Sequence, residues 1–207
     1  MSVTCNQLHQ LLRERETLRF PFDTKLVPEN GLYVLYEQGE AGHGGDRIVR
    51  VGTHTGDKQL RSRLKQHFVN ENKDRSIFRK NIGRALLCRD KDQFLEFWNL
   101  DLTTVAAKAK HHETFDTSRQ KAIELRVTEY IQTRFRFVVL SVPKKEDRLE
   151  LEARMIATVF SCRVCKPSEQ WLGSCSSKDK IREGGLWQVN ELGGEVLSEK
   201  HFQCLKK

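Results

Sequence analysis

An arginine and a histidine lie one helical turn apart in the first third of this 207-residue chain. Arg63 and His67 are four positions apart, so on a helix they project from the same face. A planar guanidinium can bridge two phosphate oxygens, a task that lysine performs less well. An imidazole titrates near neutral pH and can move protons. The pair therefore indicates chemistry on a phosphate ester.

A glutamate much further along the chain is predicted to lie beside the buried face of a helix, where burying a carboxylate costs free energy. Glu152 falls beside a predicted apolar helical stripe of Leu149, Ala153 and Ile156, and a charge there needs a partner. Mg²⁺ is commonly held by one or two carboxylates together with substrate phosphates. A bound metal ion is one possible partner for Glu152, and a partly buried salt bridge is the alternative. The neighbouring Glu150 is better explained as solvated.

The elements that position these residues follow from the apolar periods. A strand at 32–36 and a returning strand at 47–52 flank a loop with four glycines, a pattern typical of a β-hairpin. A third strand is predicted at 135–142. Predicted helices cover 4–19, 58–69, 76–87, 92–98, 119–134 and 146–160. This order predicts an α+β fold with a small three-stranded antiparallel sheet flanked by several helices.

The motifs on the hairpin and the next helix resemble those of the GIY-YIG nuclease family. The residues concerned are, in order, Gly31-Leu32-Tyr33, Arg50-Val51-Gly52, Arg63 and His67. In that family the two tripeptides lie on adjacent strands, and a helix after the third strand carries a glutamate. Glu152 is at that place here. Restriction endonucleases look closest, because they also carry an asparagine well after the glutamate, for which Asn190 is the best match.

The resemblance implies a metal-dependent DNA endonuclease with one Mg²⁺ or Mn²⁺ per active site, bound by Glu152. Tyr33 is then the expected general base, although a free phenol is a poor base at neutral pH and needs nearby cations such as Arg63 or Arg50. His67 competes for that role. We expect Tyr33 and His67 to work as a hydrogen-bonded pair, and the sequence does not decide which one accepts the proton.

The second motif departs from the family at Arg50, which stands where a tyrosine is usual. Arg50 is included among the candidate active-site residues, and three roles stay open: orienting the water, binding the phosphate, or facing solvent. Asn190 has an alternative role in fixing a turn. The alternative function is a nucleic-acid-binding module that kept the fold and lost the chemistry.

Basic residues are concentrated in one segment of the chain. Between Lys58 and Lys91 there are eleven Lys and Arg against three acidic residues, which accounts for the whole net charge of +8. Such a surface attracts nucleic acid, although it is also compatible with a solvated helix face or with docking on an acidic partner. The predicted nucleic-acid contacts are Arg61, Lys65, Arg79, Lys80 and Arg84.

Length and composition predict one domain over residues 1–207: a core at about 30–160, an N-terminal helix, an insertion at about 89–134 and an extension at 161–207. No segment is apolar enough to span a membrane, and the N-terminus lacks the pattern of a secretory signal, so we expect a cytoplasmic protein. The expected partner is double-stranded DNA, with a homodimer or a defence-system partner subunit needed to cut both strands.

Six cysteines raise the question of a second metal. Cys162 and Cys165, with Cys175 and Cys204, have the count but not the paired spacing of a four-thiolate zinc site. We therefore expect these cysteines to pack as small apolar residues and do not expect structural zinc. The run His111-His112-Glu113 is explained as part of a polar connection rather than as a metal site.

Overall fold

The centre of the protein is an antiparallel β-sheet. A computed structural model describes residues 3–106, 109 and 116–206. Its strands are β1 (Leu18–Arg19), β2 (Gly31–Gly42), β3 (Gly45–Gly52) and β4 (Phe135–Ser141). They form one sheet in the order β1-β4-β2-β3, with every neighbouring pair antiparallel. The long strand β2 thus lies between β4 and the edge strand β3.

Helices cover both faces of this sheet. Their bounds are α1 (Val3–Arg13), α2 (Leu60–Phe68), α3 (Ile77–Arg89), α4 (Leu95–Asn99), α5 (Thr117–Arg134), α6 (Lys145–Phe160), α7 (Asp179–Gly184) and α8 (Glu199–Leu205). Short 3₁₀ turns lie at Thr24–Leu26 and Leu172–Cys175. None of the helices in the described part of the chain is both long and apolar enough to cross a bilayer. The α+β class predicted from the sequence is confirmed.

Alternate residues of β2 enter two separate hydrophobic cores. Tyr33 and Leu35 join a core formed with α2, α3, α4, α5 and α7, whereas Leu32, Val34 and Tyr36 join a core formed with α1, α6 and α8. This separation follows from the two-residue period of a strand, which sends successive side chains to opposite faces. Tyr33 therefore points toward the face that carries α2 and α3.

The sheet has four strands rather than the three predicted. The helix expected at 4–19 ends at Arg13, and Leu18 and Arg19 pair instead with Phe137 and Arg136 of β4. The apolar residue Leu18 continues the spacing of α1 in the sequence, but it lies in a strand of the sheet and is buried there. A strand of two residues has no detectable period of its own, so only its pairing with β4 reveals it.

The buried side of α6 is rotated relative to the stripe predicted from sequence. Leu149 is 39% exposed, whereas Leu151, Met155 and Ile156 are buried. Glu152 lies next to this buried face and is itself half-buried. The expected division of the single domain into core, insertion and extension stays a prediction, and His111-His112-Glu113 falls outside the described residues.

Two tryptophans attach the C-terminal segment to the sheet. The indole Nε1 atoms of Trp171 and Trp187 both donate to Oε2 of Glu37 at 2.8 Å. Glu37 is buried in the middle of β2, where it also accepts from the hydroxyl of Tyr130. Three donors converge on this carboxyl group, although burial still outweighs them and raises its pKa. The cluster fixes residues 171–187 beside β3.

Candidate active site

The glycines of the two sequence motifs make room for the tyrosine and for the sheet. Tyr33 on β2 lies directly across from Gly52 on β3, and a Cβ atom at Gly52 would overlap the Tyr33 ring and hydroxyl. A Cβ atom at Gly31 would overlap the carbonyl oxygen of Leu140 on β4. Glycine is therefore required at both positions for steric reasons.

The tyrosine and the histidine form a hydrogen-bonded pair inside the protein. The Tyr33 hydroxyl is 2.7 Å from Nε2 of His67, and neither residue is exposed to solvent. The other ring nitrogen of His67, Nδ1, is 2.8 Å from Oγ of Ser76. Ser76 caps the N-terminus of α3, where its Oγ accepts from the backbone N–H of Arg79. Three side chains thus form one chain of hydrogen bonds, in which Ser76 contacts the His67 ring.

The surroundings of His67 favour its neutral form. Its pKa is lowered well below the ordinary value, first by burial and then by the charges of Arg63, Arg50 and Arg79. A neutral imidazole has one N–H and one acceptor nitrogen. If Nδ1–H donates to Ser76, Nε2 is free to accept the Tyr33 proton. If Ser76 donates to Nδ1, Nε2–H donates to the Tyr33 oxygen.

Arg50 points into this site rather than into solvent. Its Nε donates to the Tyr33 hydroxyl at 3.5 Å, and its Nη1 donates to the carbonyl oxygen of Trp187. The guanidinium carbon lies 5.3 Å from the centre of the Phe78 ring, a cation–π geometry. Of the three roles left open by the sequence, facing solvent is excluded, because Arg50 is only 7% exposed.

Glu152 reaches the site from the other face of the sheet, around the end of β3. Its Oε1 accepts from the backbone N–H of Thr53 at 3.0 Å. The pKa of Glu152 is raised, because burial outweighs the opposing effects of Arg50, the Thr53 N–H and Arg63. The carboxylate lines a cavity of about 240 Å³ together with Arg50 and Asn190.

The segment after Trp187 forms one wall of this cavity. The N–H of Trp187 donates to the carbonyl of Val49 at 2.8 Å, and the N–H of Val51 donates to Oε1 of Gln188 at 2.9 Å. These bonds pair one carbonyl and one N–H on the free edge of β3. They also carry Asn190 and Glu191 to the cavity, where Glu191 raises the pKa of Glu152 further.

Arg63 lies beside a neighbouring cavity. This half-buried arginine donates to Oε1 of Gln66 at 3.1 Å and to the carbonyl of Arg75 at 3.3 Å. It lines a space of about 260 Å³ that also borders Thr53, the residue bonded to Glu152. The structure thus places Tyr33 in contact with both His67 and Arg50. Glu152 and Asn190 line the cavity that Arg50 also lines, and Arg63 lines a separate one.

The predicted nucleic-acid contacts divide into two groups. Arg79 is fully buried and pairs with Glu124 at 2.7 Å, and Lys80 is 8% exposed and pairs with Asp74 at 3.1 Å. The predicted contact of Arg79 with phosphate does not fit the structure, because its charge is paired inside the protein. Lys80 shares Asp74 with Lys73, so its role stays a prediction. Lys65 is exposed and Arg61 half-buried, so their roles stay predictions.

Arg84 has an intermediate position. It is 8% exposed and donates to Oδ1 of Asn99 and of Asn81, each at 2.7 Å. It nevertheless lines a third cavity, of about 440 Å³, which shares Asn81 and two other residues with the cavity of Glu152.

Sequence reasoning missed several residues at the site. They are Thr53, Ser76, Asn81, Gln188 and Glu191. Ser76 carries a usable signal, because a serine just before a helical period is a typical N-cap. Thr53 follows the second motif directly. The others reach the site only through the packing of α3 and the C-terminal segment.

Comparison with known proteins agrees with this arrangement. Searches among curated proteins and among solved structures find no match. A family model described as the GIY-YIG domain, a nuclease domain, matches residues 3–206. The match includes both motif strands, α2 with Arg63 and His67, and α6 with Glu152. On this match across nearly the whole length, the chain belongs to the GIY-YIG family of nucleases.

Proposed function

We propose that the protein is a metal-dependent DNA endonuclease that hydrolyses phosphodiester bonds, with a role in restriction or defence. The observation that carries this proposal is the hydrogen bond between Tyr33 and His67, with Arg50 beside it and Glu152 in the adjoining cavity. Hydrolysis of a phosphodiester needs a proton acceptor for the attacking water and positive charge near the phosphoryl oxygens. Both are present within this one site.

Glu152 fits the role of metal ligand. Its Oε1 is fixed by Thr53, and within residues 3–106, 109 and 116–206 no Lys, Arg or His lies within 4.0 Å of its carboxylate. A half-buried carboxylate with no ion-pair partner suits a divalent cation, and Mg²⁺ or Mn²⁺ needs only one or two protein carboxylates beside phosphate and water. When bound, the cation would stabilise the charge on the phosphate and on the leaving 3′ oxygen.

The chain's own residues favour Tyr33 as the atom that takes the proton from water. A second proton on His67 is disfavoured, because Arg63, Arg50 and Arg79 already place positive charge around it. Negative charge on the Tyr33 oxygen is instead stabilised by the Nε–H of Arg50. With Ser76 donating to Nδ1, the neutral His67 donates its Nε2–H to the ionised Tyr33 oxygen, and the phenolic proton is lost to solvent before the attack. Arg63 would bind the phosphate from the neighbouring cavity.

A basic groove leads away from this site. The cavity that contains Glu152 shares Ile77, Asn81 and Val189 with the cavity lined by Arg84, and the second cavity is also lined by Lys178 and Lys180. Both lysines are exposed, so their charges are available to a polyanion. We place the DNA backbone along this groove, with double-stranded DNA as the substrate and a dimer or partner subunit for cutting both strands.

The alternative is a nucleic-acid-binding module of the same fold without chemistry. The complete burial of Tyr33 and His67 favours it, because an attacking water needs access to their atoms. This alternative predicts DNA binding along the basic groove and no cleavage with any divalent metal. The expected cytoplasmic location is part of neither hypothesis and stays a prediction.

The experiment is incubation of supercoiled plasmid with purified protein in Mg²⁺, Mn²⁺ or EDTA. Wild-type protein should nick or linearise the plasmid only with the metals, and Glu152→Ala should leave it intact. Glu150→Ala is the matched control, because Glu150 lies on the same helix but is exposed and paired with Arg154. Discrete fragments from a long DNA would support a restriction role. Equal inactivity of wild type and Glu152→Ala with every substrate and metal would reject the endonuclease proposal.

A further inference from the structure

Four side chains that bind soft metals converge on the opposite face of the sheet from Tyr33. Cys5 and His9 are one turn apart on α1, His43 lies in the turn between β2 and β3, and Cys165 follows α6. One ligand atom from each of these residues lies within 4.8 Å of all the others. Three segments that are far apart in sequence thus meet at one point.

The distances within this cluster match the edges of a tetrahedral site. The sulfur atoms of Cys5 and Cys165 are 3.6 Å apart, and Sγ of Cys165 is 3.3 Å from Nε2 of His9. Zinc–sulfur bonds of about 2.3 Å and zinc–nitrogen bonds of about 2.0 Å place tetrahedral ligands about 3.3 to 3.8 Å apart. The two contacts at 3.6 and 3.3 Å are within a few tenths of an ångström of these edges, and ligand atoms as far apart as 4.8 Å need to move closer by about an ångström.

Burial and ligand type both favour zinc over a hard cation. Cys5 is 0% exposed, His9 2% and Cys165 5%, and His43 is half-buried at the mouth of the cluster. Thiolate and imidazole groups select zinc, whereas Mg²⁺ prefers oxygen ligands. Four protein ligands leave no open position for a reactive water, which is the mark of a structural site.

We propose that Cys5, His9, His43 and Cys165 bind one structural zinc ion that ties α1 and the hairpin turn to the segment after α6. This ligand set differs from the four cysteines considered from the sequence. Of those, only Cys165 belongs to it, while Cys175 and Cys204 lie outside the cluster. The zinc site is separate from the site of Glu152, and the proposal does not depend on nuclease activity.

Cys162 is a neighbour of this cluster rather than a ligand. Its Sγ lies 3.2 Å from Nε2 of His43, and it is buried. In the zinc-bound protein this thiol packs against the bound imidazole. A Cys162→Ser variant should therefore keep the metal.

The test is the zinc content of protein purified or refolded under reducing conditions with added zinc, measured by atomic emission. Wild type should carry about one zinc ion per chain. Cys165→Ser and His43→Asn should each lower the content at least about tenfold, in line with the loss of a ligand from a four-ligand site. Asparagine tolerates the left-handed backbone of His43, where φ is 52°, so this variant preserves the turn even if Cys165→Ser fails to fold.

Cobalt provides a second readout, since thiolate-bound tetrahedral cobalt absorbs strongly in visible light. Wild type, Cys162→Ser, the exposed control Cys204→Ser and the active-site variant Glu152→Ala should all show this absorption, and His43→Asn should lose it. Absence of metal uptake by wild type would overturn the proposal. So would a Cys5–Cys165 disulfide that persists under reducing conditions, or equal zinc content in His43→Asn and Cys204→Ser.

Discussion

The Tyr33 hydroxyl lies 2.7 Å from Nε2 of His67, and both side chains are closed to solvent. The contact joins two elements, because Tyr33 lies on β2 and His67 lies near the end of α2. It therefore depends on how α2 packs against the sheet. Gly52 admits the tyrosine ring, and Ser76 fixes the imidazole from its other nitrogen. The pair is thus held by the fold before any substrate arrives.

His67 should make the protein less stable in acid. Its pKa in the folded state lies below the ordinary value of 6.5, so the unfolded chain takes up the proton first as the pH falls. The free energy of unfolding should therefore decline below about pH 6.5, by up to about 1.4 kcal/mol per pH unit for this one group.

His67→Gln removes this titration and should flatten the decline, as measured by urea unfolding between pH 7 and pH 5. His54, whose pKa is also lowered by burial, is present in both proteins and cancels from the comparison. Identical slopes for the two proteins would show that His67 takes up its proton equally in both states.

Glu152→Gln should stabilise the metal-free protein. The raised pKa of Glu152 means that its ionised form opposes folding at neutral pH, and this penalty is relieved as the pH falls. Glutamine keeps an oxygen to accept from Thr53 without the charge. A gain of about 1 kcal/mol would raise the melting temperature of a chain of this size by about 2–4 °C. A lower melting temperature in EDTA would contradict the account.

Arg79 should contribute to the stability of the fold, so replacing it should lower the free energy of unfolding. Its guanidinium pairs with buried Glu124 and donates to the carbonyl of His67 at 3.1 Å. Arg79→Met leaves a carboxylate unpaired in the core, which costs about 3–5 kcal/mol of unfolding free energy. Arg126→Met is the control, because Arg126 pairs with Asp90 at the surface and should lose no more than about 1 kcal/mol. Similar losses for the two variants would contradict this assignment.

Lys178 and Lys180 should carry part of the affinity for DNA. Replacing both with glutamine should weaken binding uniformly across sequences and reduce the slope of log affinity against log salt by about 1–2. Lys200→Gln is the control, because α8 packs on the opposite face of the sheet. An unchanged salt slope in the double variant would move the DNA away from the groove.

Local sequence patterns predict much of this fold and the order of the site residues. Hydrophobic periodicity is long enough to predict the hairpin, β4 and the helices α2, α3 and α6. The strand Leu18–Arg19 has no such periodicity, and it exists only through its pairing with β4. The burial of Arg79 could not be predicted for a similar reason, because its partner Glu124 lies on a helix 45 residues further along the chain.

The cysteines show the same limit. A reading based on spacing groups Cys162 with Cys165, Cys175 and Cys204, whereas the fold brings Cys165 to Cys5, which is 160 residues away. Local spacing cannot predict this contact, because the contact depends on how α1 packs beside the end of α6. Glu152, by contrast, could be selected from sequence because its family position and its costly burial agree.

The most direct test of the account is the cleavage rate of Tyr33→Phe under single-turnover conditions with Mg²⁺, measured together with DNA affinity. Loss of the hydroxyl should lower the rate about 10²- to 10⁴-fold, the usual contribution of a general base, and leave the affinity within about twofold, a change of about 0.4 kcal/mol. Tyr36→Phe, on the opposite face of β2, should cleave like wild type. Full activity of Tyr33→Phe would contradict the central role of the Tyr33–His67 pair.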